Sequence, residues 1–270
     1  MATYLDRILD VHRTVAAADR RPVDALIDAA LGLAEARGFA DALVEVPAGE
    51  PAVIAEVKRR SPSRGDLVAD LDPAGTAMEY VAGGAACLSV LTDVDHFGGS
   101  PDDLAAARDA VGVPVLRKDF TIDARDVCDA RLMGADAVLL IAAALDDAEL
   151  TDFHALAVEV GLDALVEIHD EAELERALTV GARLIGVNQR DLVTFEVDTT
   201  RAVRMAPLMP DGVVRVAESG IRGPADAHTL VDAGYHALLV GESVVTSDDR
   251  TGAVRALRGG RPRGSEMRDD

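Results

Sequence analysis

Short runs of apolar, mostly β-branched residues alternate along the chain with longer segments rich in Ala, Leu, Asp, Glu and Arg. The runs are almost continuously apolar, which is typical of parallel strands buried on both faces. The longer segments have the length and composition of helices. The eight predicted strands are Val53–Lys58, Cys87–Leu91, Val113–Lys118, Ala137–Ile141, Ala164–Ile168, Leu184–Asn188, Val213–Glu218 and Ala237–Gly241.

Eight strand–helix units within 270 residues predict an α/β fold, a (β/α)8 TIM barrel. We expect one domain over residues 1–258, in which residues 53–258 form the barrel and a last helix lies near Asp248–Leu257. An open doubly wound sheet is the alternative, and it is disfavoured because no GxGxxG opens the first helix. Residues 259–270 are polar and are expected to be a disordered tail.

The first fifty residues are predicted to form an N-terminal helical extension, which is too small to form a hydrophobic core of its own. Pro22–Arg37 is predicted to be its second helix, with Gly38 as the stop signal. We expect the extension to support the site without doing chemistry. The predicted apolar face of its first helix comprises Tyr4, Leu5, Ile8, Leu9, Val11 and Val15.

The charge balance excludes several classes of partner. With 27 basic and 48 acidic residues, the net charge is -21, and no basic stripe exists to neutralise nucleic-acid phosphates. The start, MATYLDRILDVHR, carries charges where a signal peptide needs an apolar run, and no run reaches the roughly 18 apolar residues of a membrane span. Cys87 and Cys128 have no CxxC spacing, so we expect a reduced, cytoplasmic protein without structural zinc.

Three rare residues fall at predicted strand ends. Lys58 and Lys118 are the only lysines among the 27 basic residues, and Asn188 is the only asparagine. Lysine can give up a proton when its surroundings lower its pKa, whereas arginine cannot. Because barrel enzymes gather their chemistry at the carboxyl ends of the strands, the two lysines are candidates for proton transfer.

Three glutamates are predicted at the same end of the barrel. Glu56 shares a strand face with Lys58, Glu167 lies on the fifth strand and Glu218 ends the seventh. Inward carboxylates in an apolar barrel are costly unless they are paired or functional. Two interpretations stay open here, which are a structural ion network with the lysines and a set of tuned acids and bases.

Loops after strands seven and eight resemble phosphate sites. Ser219-Gly220 and Gly241-Glu242-Ser243 lie where barrels of this type commonly bind phosphate through backbone N–H groups. The loop Ser61–Gly65 follows the first strand, and two interpretations of it stay open. It contributes a hydroxyl to the phosphate site, or it is an ordinary surface loop. The predicted partner is therefore a small phosphorylated molecule.

The motifs at these strand ends resemble those of the indole-3-glycerol phosphate synthase family. The resemblance extends over essentially the whole chain up to about Leu257, and Gln189 occupies a position at which the family varies. The motifs are Ile54–Ser63, Leu91–Asp93 with Phe97–Ser100, Leu116–Phe120, Leu165–Ile168, Gly186–Leu192, Val216–Ile221 and Val240–Ser243.

This resemblance implies a ring closure in tryptophan biosynthesis. The substrate would be 1-(2-carboxyphenylamino)-1-deoxyribulose 5-phosphate, and the products would be indole-3-glycerol phosphate, carbon dioxide and water. No metal or organic cofactor is implied. The expected assembly is a monomer or a weak homo-oligomer.

The resemblance also implies the catalytic roles. Lys118 would be the general acid at the substrate ketone, and Lys58 would be a second acid that also holds the substrate carboxylate. Glu167 and Glu56 are the candidate bases, and which of them acts at each step stays open. Asn188 would orient the sugar hydroxyls or Lys118.

Substrate-binding roles follow from the same resemblance. Arg190 would contact the carboxylate or the polar network, which Glu218 would complete. Phe97 and Phe120 would flank the aromatic ring, although ordinary core packing is the other interpretation. The predicted phosphate ligands are Ser61, Ser219, Gly220, Gly241 and Ser243.

Two other functions remain as alternatives. A neighbouring phosphate-binding barrel such as phosphoribosylanthranilate isomerase would need an acid–base pair suited to an aldose–ketose isomerisation, which this residue set fits less well. A non-catalytic barrel that binds a phosphorylated metabolite would tolerate loss of Lys118.

Overall fold

The computed structural model describes residues 3–62 and 64–259. Ser63 and residues 260–270, where the tail was predicted, lie outside the described residues. Eight parallel strands form a closed barrel in chain order, which confirms the predicted (β/α)8 fold. The strands are β1 (Ala52–Val57), β2 (Cys87–Leu91), β3 (Val115–Lys118), β4 (Ala137–Ile141), β5 (Asp163–Ile168), β6 (Leu184–Asn188), β7 (Val214–Glu218) and β8 (Ala237–Val240).

The barrel closes where β1 pairs with β8 on one side, in the register Ala52↔Ala237, and with β2 on the other, in the register Ile54↔Cys87. A short antiparallel ribbon, Arg60–Ser61 with Gly65–Asp66, follows β1. The third strand begins two residues later than predicted, because Pro114 precedes it and has no N–H to donate to a ladder.

Helices surround the barrel and also make up the N-terminal extension. They are α1 (Tyr4–Ala18), α2 (Val23–Leu31), α3 (Phe39–Val44), α4 (Pro73–Gly83), α5 (Val94–Phe97), α6 (Pro101–Ala110), α7 (Ala124–Leu132), α8 (Asp147–Glu159), α9 (Glu171–Thr179), α10 (Arg201–Met205), α11 (Pro224–Asp232), α12 (Glu242–Val245) and α13 (Arg250–Leu257). Within the described ranges, none of them is both long and apolar enough to cross a membrane.

Many of the acidic residues start helices. Asp72, Asp93, Asp123, Asp146 and Asp170 each accept a backbone N–H of the first helical turn. A carboxylate there satisfies an orphan donor and complements the helix dipole. Part of the chain's acidity therefore serves to define where the barrel helices begin.

Strand residues alternate between two apolar layers, as parallel strands require. Ile54, Leu116 and Leu165 belong to the cluster inside the barrel. Val53 and Val166 belong to the larger cluster between strands and helices.

The N-terminal extension contacts both ends of the barrel. Phe39 and Leu43 of α3 are fully buried in the interior cluster at the amino ends of the strands, where the Ala40 N–H donates to Asp163 Oδ2 at 2.9 Å. Leu5 and Ile8 of α1 join the same cluster at the opposite end. The extension shares the barrel's core and has no core of its own.

Two details of the predicted extension are wrong. The second helix ends at Leu31 and does not reach Arg37, because Gly32 caps it and the Arg37 guanidinium instead donates to backbone carbonyls beneath the barrel. The apolar face of α1 is also narrower than predicted, because Val11 is 46% exposed and Val15 66% exposed.

Phe39→Ala should lower the free energy of unfolding by about 3–5 kcal/mol, because it leaves a cavity beneath a fully packed barrel. Val15→Ala, at a largely exposed site on α1, is the control and should change it by no more than about 0.5 kcal/mol. Urea unfolding followed by circular dichroism measures both. Equal effects of the two variants would contradict the interpretation that α3 fills the amino end of the barrel.

Candidate active site

A cavity of about 490 Å³ opens at the carboxyl ends of the strands, and every predicted site residue lines it. The strands deliver Glu56, Lys118, Glu167, Asn188 and Glu218, and the segments just after them deliver the rest. The latter are Lys58, Ser61, Phe97, Phe120, Arg190, Ser219, Gly220, Gly241 and Ser243.

Lys118 lies between two buried glutamates. Its Nζ is 3.1 Å from Glu167 Oε2 and 3.8 Å from Glu218 Oε2. The other oxygen of Glu167, Oε1, accepts a hydrogen bond from Asn188 Nδ2 at 2.9 Å. Glu218 Oε1 is buried and has no hydrogen-bond partner in the part of the chain that the structure describes.

The pKa values of these three groups depend on one another. Burial alone would lower the pKa of Lys118, but the nearby carboxylates, led by Glu167 and Glu218, outweigh burial and raise it. Burial alone would raise the pKa of Glu167, but the charge of Lys118 and further polar partners outweigh it and lower it. Burial and the Glu167 carboxylate together raise the pKa of Glu218 well above its usual range. The surroundings therefore favour the ammonium form of Lys118 and the carboxylate form of Glu167, and they favour the protonated form of Glu218 more than solvent would.

A second lysine–glutamate pair lies across the cavity. Lys58 follows β1 directly, and its Nζ donates to Glu56 Oε1. Gly241 packs against this pair, because a Cβ at that position would lie 2.3 Å from Glu56 Oε1 and 2.9 Å from Lys58 Nζ. Only a glycine fits beside the pair in this arrangement.

The loops after β7 and β8 form one end of the cavity. Ser219 and Gly220 both have left-handed backbone conformations, with φ of 65° and 73°. Ser243 Oγ donates to the Ile221 carbonyl at 2.9 Å, which joins the two loops. A left-handed serine is uncommon, and such strain is often stored where a ligand binds.

Ser61 reaches the same end of the cavity from the ribbon after β1. It is buried, and its Oγ accepts the Arg64 N–H at 3.2 Å. Arg64 Nη2 in turn lies 3.1 Å from Glu242 Oε1, at the start of α12. The described part of this loop therefore faces the loop after β8.

Aromatic and cationic side chains complete the walls. Phe97, which ends α5, and Phe120, which follows β3, have ring centroids 6.3 Å apart with an interplanar angle of 41°. Arg190 donates its backbone N–H to Asn188 Oδ1 at 3.0 Å and its guanidinium to the Phe195 carbonyl at 3.0 Å. The hydrogen bond from the Arg190 backbone holds Asn188 Oδ1, so that the Nδ2 group of the same amide faces Glu167.

Three further residues support the site and were missed in the sequence. Gly186, in the middle of β6, makes room for Glu218, because a Cβ there would lie 2.0 Å from Glu218 Oε1. Gln189 is buried, and its Nε2 donates to the Ser219 carbonyl at 2.8 Å. A glycine inside an apolar strand and the chain's only glutamine were the available signals.

His169 is the third missed residue. Its Nε2 lies 3.5 Å from Glu167 Oε1, and its Nδ1 lies 3.0 Å from Glu173 Oε2. The residue ends the motif ALVEIH, but nothing in the sequence pattern shows that its ring turns back toward the neighbouring strand residue.

The fold and the site together define an enzyme with a (β/α)8 barrel. Its cavity holds paired acidic and basic side chains, and one end of the cavity is formed by loops that contain glycine and serine. The family profile described as indole-3-glycerol phosphate synthase matches residues 5–257. The chain belongs to this family, and it is a carboxy-lyase of tryptophan biosynthesis. The predicted family, function and enzyme class are thereby confirmed.

Relatives with the same name cover almost the whole chain. The chain is 51% identical to the indole-3-glycerol phosphate synthase of Nocardioides sp., over 90% of this chain and 93% of the relative. It is 47% identical to that of Chlorobium luteolum, over 93% and 96%, and 47% identical to that of Polaromonas naphthalenivorans, over 96% and 100%.

A solved structure shares the architecture at much lower identity. The thiamine phosphate pyrophosphorylase of Pyrococcus furiosus superposes with a TM-score of 0.58 at 16% identity, over 77% of this chain and 94% of that one. At this identity the likeness concerns the fold alone.

Proposed function

We propose that Lys118 and Glu167 perform the central proton transfers of the family reaction in this chain, and that Glu218 completes the polar network around Lys118. The observation that carries the proposal is the position of Lys118 Nζ in the cavity, 3.1 Å from Glu167 Oε2 and 3.8 Å from Glu218 Oε2. Supplying 1-(2-carboxyphenylamino)-1-deoxyribulose 5-phosphate to the parent chain and to its Lys118→Arg variant, and following indole fluorescence, tests it.

In the first step, the ring carbon that bears the carboxylate attacks the ketone carbon and forms the new C–C bond. The ketone oxygen takes a proton from Lys118 and becomes a hydroxyl. The bond to the carboxylate then breaks and carbon dioxide leaves, so that the electron pair returns to the ring. Glu167 holds Lys118 in place through the 3.1 Å contact, and Lys118, which is left as a neutral amine, regains a proton from water.

In the second step, the hydroxyl leaves as water. Lys58 supplies the proton that this departure needs, and a glutamate, Glu56 or Glu167, takes the proton that the substrate loses. The contact between Lys58 and Glu56 supports this assignment, because it places an acid and a base side by side.

The substrate would lie across the cavity from the phosphate end to the aromatic wall. We assign the phosphate to Ser61, Ser219, Gly220, Gly241 and Ser243, whose loops meet at one end. The aromatic ring would lie against Phe97 and Phe120, and Arg190 would attract the carboxylate.

The wider setting of the chain is also proposed. Cys87 and Cys128 are both buried and free, which supports a reducing compartment, and we propose the cytoplasm. We further propose a single domain over residues 1–258 that acts as a monomer or weak homo-oligomer without a nucleic-acid partner.

His169→Gln should move the acid limb of the pH profile of kcat/KM to higher pH. Burial alone would lower the pKa of His169, but the hydrogen bond to Glu173 and the charge of Glu167 outweigh it and raise it. The charged ring in turn helps to keep the pKa of Glu167 low. Without that charge the pKa of Glu167 rises, and a base with a higher pKa is lost at a higher pH.

His169→Gln should lower the free energy of unfolding most at low pH and progressively less as the pH rises. Because the folded pKa of His169 is raised, its contribution is present in full below about pH 6.5, the unfolded value, and is lost as pH rises through the folded value. His154→Gln, on α8, is the matched control for the pH profile of kcat/KM and for the free energy of unfolding as a function of pH. An acid limb that stays in place in His169→Gln would contradict this role.

A further inference from the structure

Two histidines and an aspartate meet beside the cavity, between the N-terminal extension and the loop after β2. His12 lies on α1, Asp93 caps α5 and His96 lies on α5. Asp93 Oδ2 is 3.0 Å from His12 Nε2 and 3.2 Å from His96 Nδ1, and each of the three residues offers one ligand atom within 4.8 Å of the other two. The reaction described above uses neither histidine.

These separations are close to those of a tetrahedral metal site. Zinc binds imidazole nitrogen at about 2.0–2.1 Å and carboxylate oxygen at about 2.0–2.2 Å, so two tetrahedral ligand atoms lie roughly 3.4 Å apart. Both distances from Asp93 Oδ2 differ from this value by a few tenths of an ångström. The third separation, between the two histidines, is at most 4.8 Å, so the rings would have to turn toward each other around one ion.

The aspartate is already oriented for such a role. Its Oδ1 accepts the backbone N–H groups of His96 at 2.6 Å and Phe97 at 3.2 Å, so Oδ2 is the oxygen that faces the two rings. A ligand whose second oxygen is fixed by hydrogen bonds is typical of metal centres.

The imidazole rings of His12 and His96 pack against neighbouring aromatic side chains and are still partly exposed to solvent. His96 makes an edge-on contact with Tyr4, and the His12 ring lies 5.3 Å from that of Phe120. The side chains of His12 and His96 are nevertheless 23% and 20% exposed, which gives an ion a path from solvent.

We propose that His12, Asp93 and His96 bind a divalent transition metal of the zinc type, with water as the fourth ligand. Two imidazoles and one carboxylate favour zinc over magnesium or calcium, which prefer oxygen ligands. The bound ion would join α1 to the loop that carries Phe97 in the cavity wall. Cysteine spacing predicted no structural zinc, and this site uses no cysteine but brings His12 to Asp93, which lies 81 residues further along the chain, and to His96.

Isothermal titration of the tag-free, full-length protein with zinc chloride tests the proposal. The expected result is one site per chain, with at least about tenfold weaker binding in both His12→Gln and His96→Gln. His228→Gln, at an exposed position on α11, is the control and should bind like the parent. Magnesium chloride should give no binding.

A second measurement uses the unaltered chain and does not depend on how the variants fold. Diethylpyrocarbonate modification mapped by mass spectrometry should show that zinc protects His12 and His96 but not His228. Equal zinc binding by parent and both variants, or equal modification of His12 and His96 with and without zinc, would overturn the proposal.

Discussion

Lys118→Arg is expected to reduce kcat by at least about 100-fold, which is the lower end of what a general acid contributes. Arginine keeps the positive charge and can keep the ion pair with Glu167, so the barrel should fold and bind substrate nearly as before. What it cannot do is pass a proton to the substrate oxygen, because a guanidinium is not deprotonated in proteins, whereas the ammonium of Lys118 can transfer a proton directly as the new C–C bond forms. Steady-state kinetics, after circular dichroism has verified folding, measure the loss.

Lys58→Arg is the internal comparison for this experiment. A loss comparable to that of Lys118→Arg is expected if Lys58 supplies the proton of the second step, and a smaller loss if Lys58 mainly holds the substrate carboxylate. If instead Lys118 only neutralises Glu167 and Glu218, its arginine variant should keep kcat within a few-fold of the parent. That outcome would rule out Lys118 as the general acid.

Gly241→Ala is expected to be nearly as damaging, with a fall in kcat/KM on the order of 100-fold, the scale of a lost acid or base. A methyl group at this position would lie 2.3 Å from Glu56 Oε1, so the Glu56–Lys58 pair has to move. The loss should appear in kcat as well as KM, because the substitution displaces a proposed acid and base besides narrowing the phosphate end. Kinetics at saturating and limiting substrate separate the two parameters.

Gly112→Ala is the matched control, because a Cβ at Gly112 would meet nothing within 4 Å. It tests whether any glycine-to-alanine change in a barrel loop impairs the enzyme. Parental kcat/KM for Gly241→Ala in a folded protein would contradict the placement of Gly241 against the pair.

Much of the fold could be predicted because parallel barrel strands are buried on both faces. Residues such as Val138 and Leu139 lie in different apolar layers, so both must be apolar and the strand appears as an uninterrupted run. The extension was harder, because α3 is short and its burial depends on the barrel end it fills. No local period distinguishes Phe39 from a residue in a loop.

The candidate site was predictable where rare residues coincide with strand ends. Lys58, Lys118 and Asn188 are conspicuous in a chain that otherwise uses arginine and aspartate. His169 was missed although its partners Glu167 and Glu173 are close in sequence, because no pattern shows where its ring points. Gly186 was missed because its role depends on Glu218, which approaches from the neighbouring strand β7. Such contacts are properties of the closed barrel and are not encoded in sequence spacing.

The most direct test of the account is to give the purified full-length chain 1-(2-carboxyphenylamino)-1-deoxyribulose 5-phosphate and to measure indole-3-glycerol phosphate and carbon dioxide together. The account predicts both products in equal amounts without added metal or cofactor, and predicts that the Lys118→Arg variant is at least about 100-fold slower. A folded chain that binds this compound but releases neither product would contradict it.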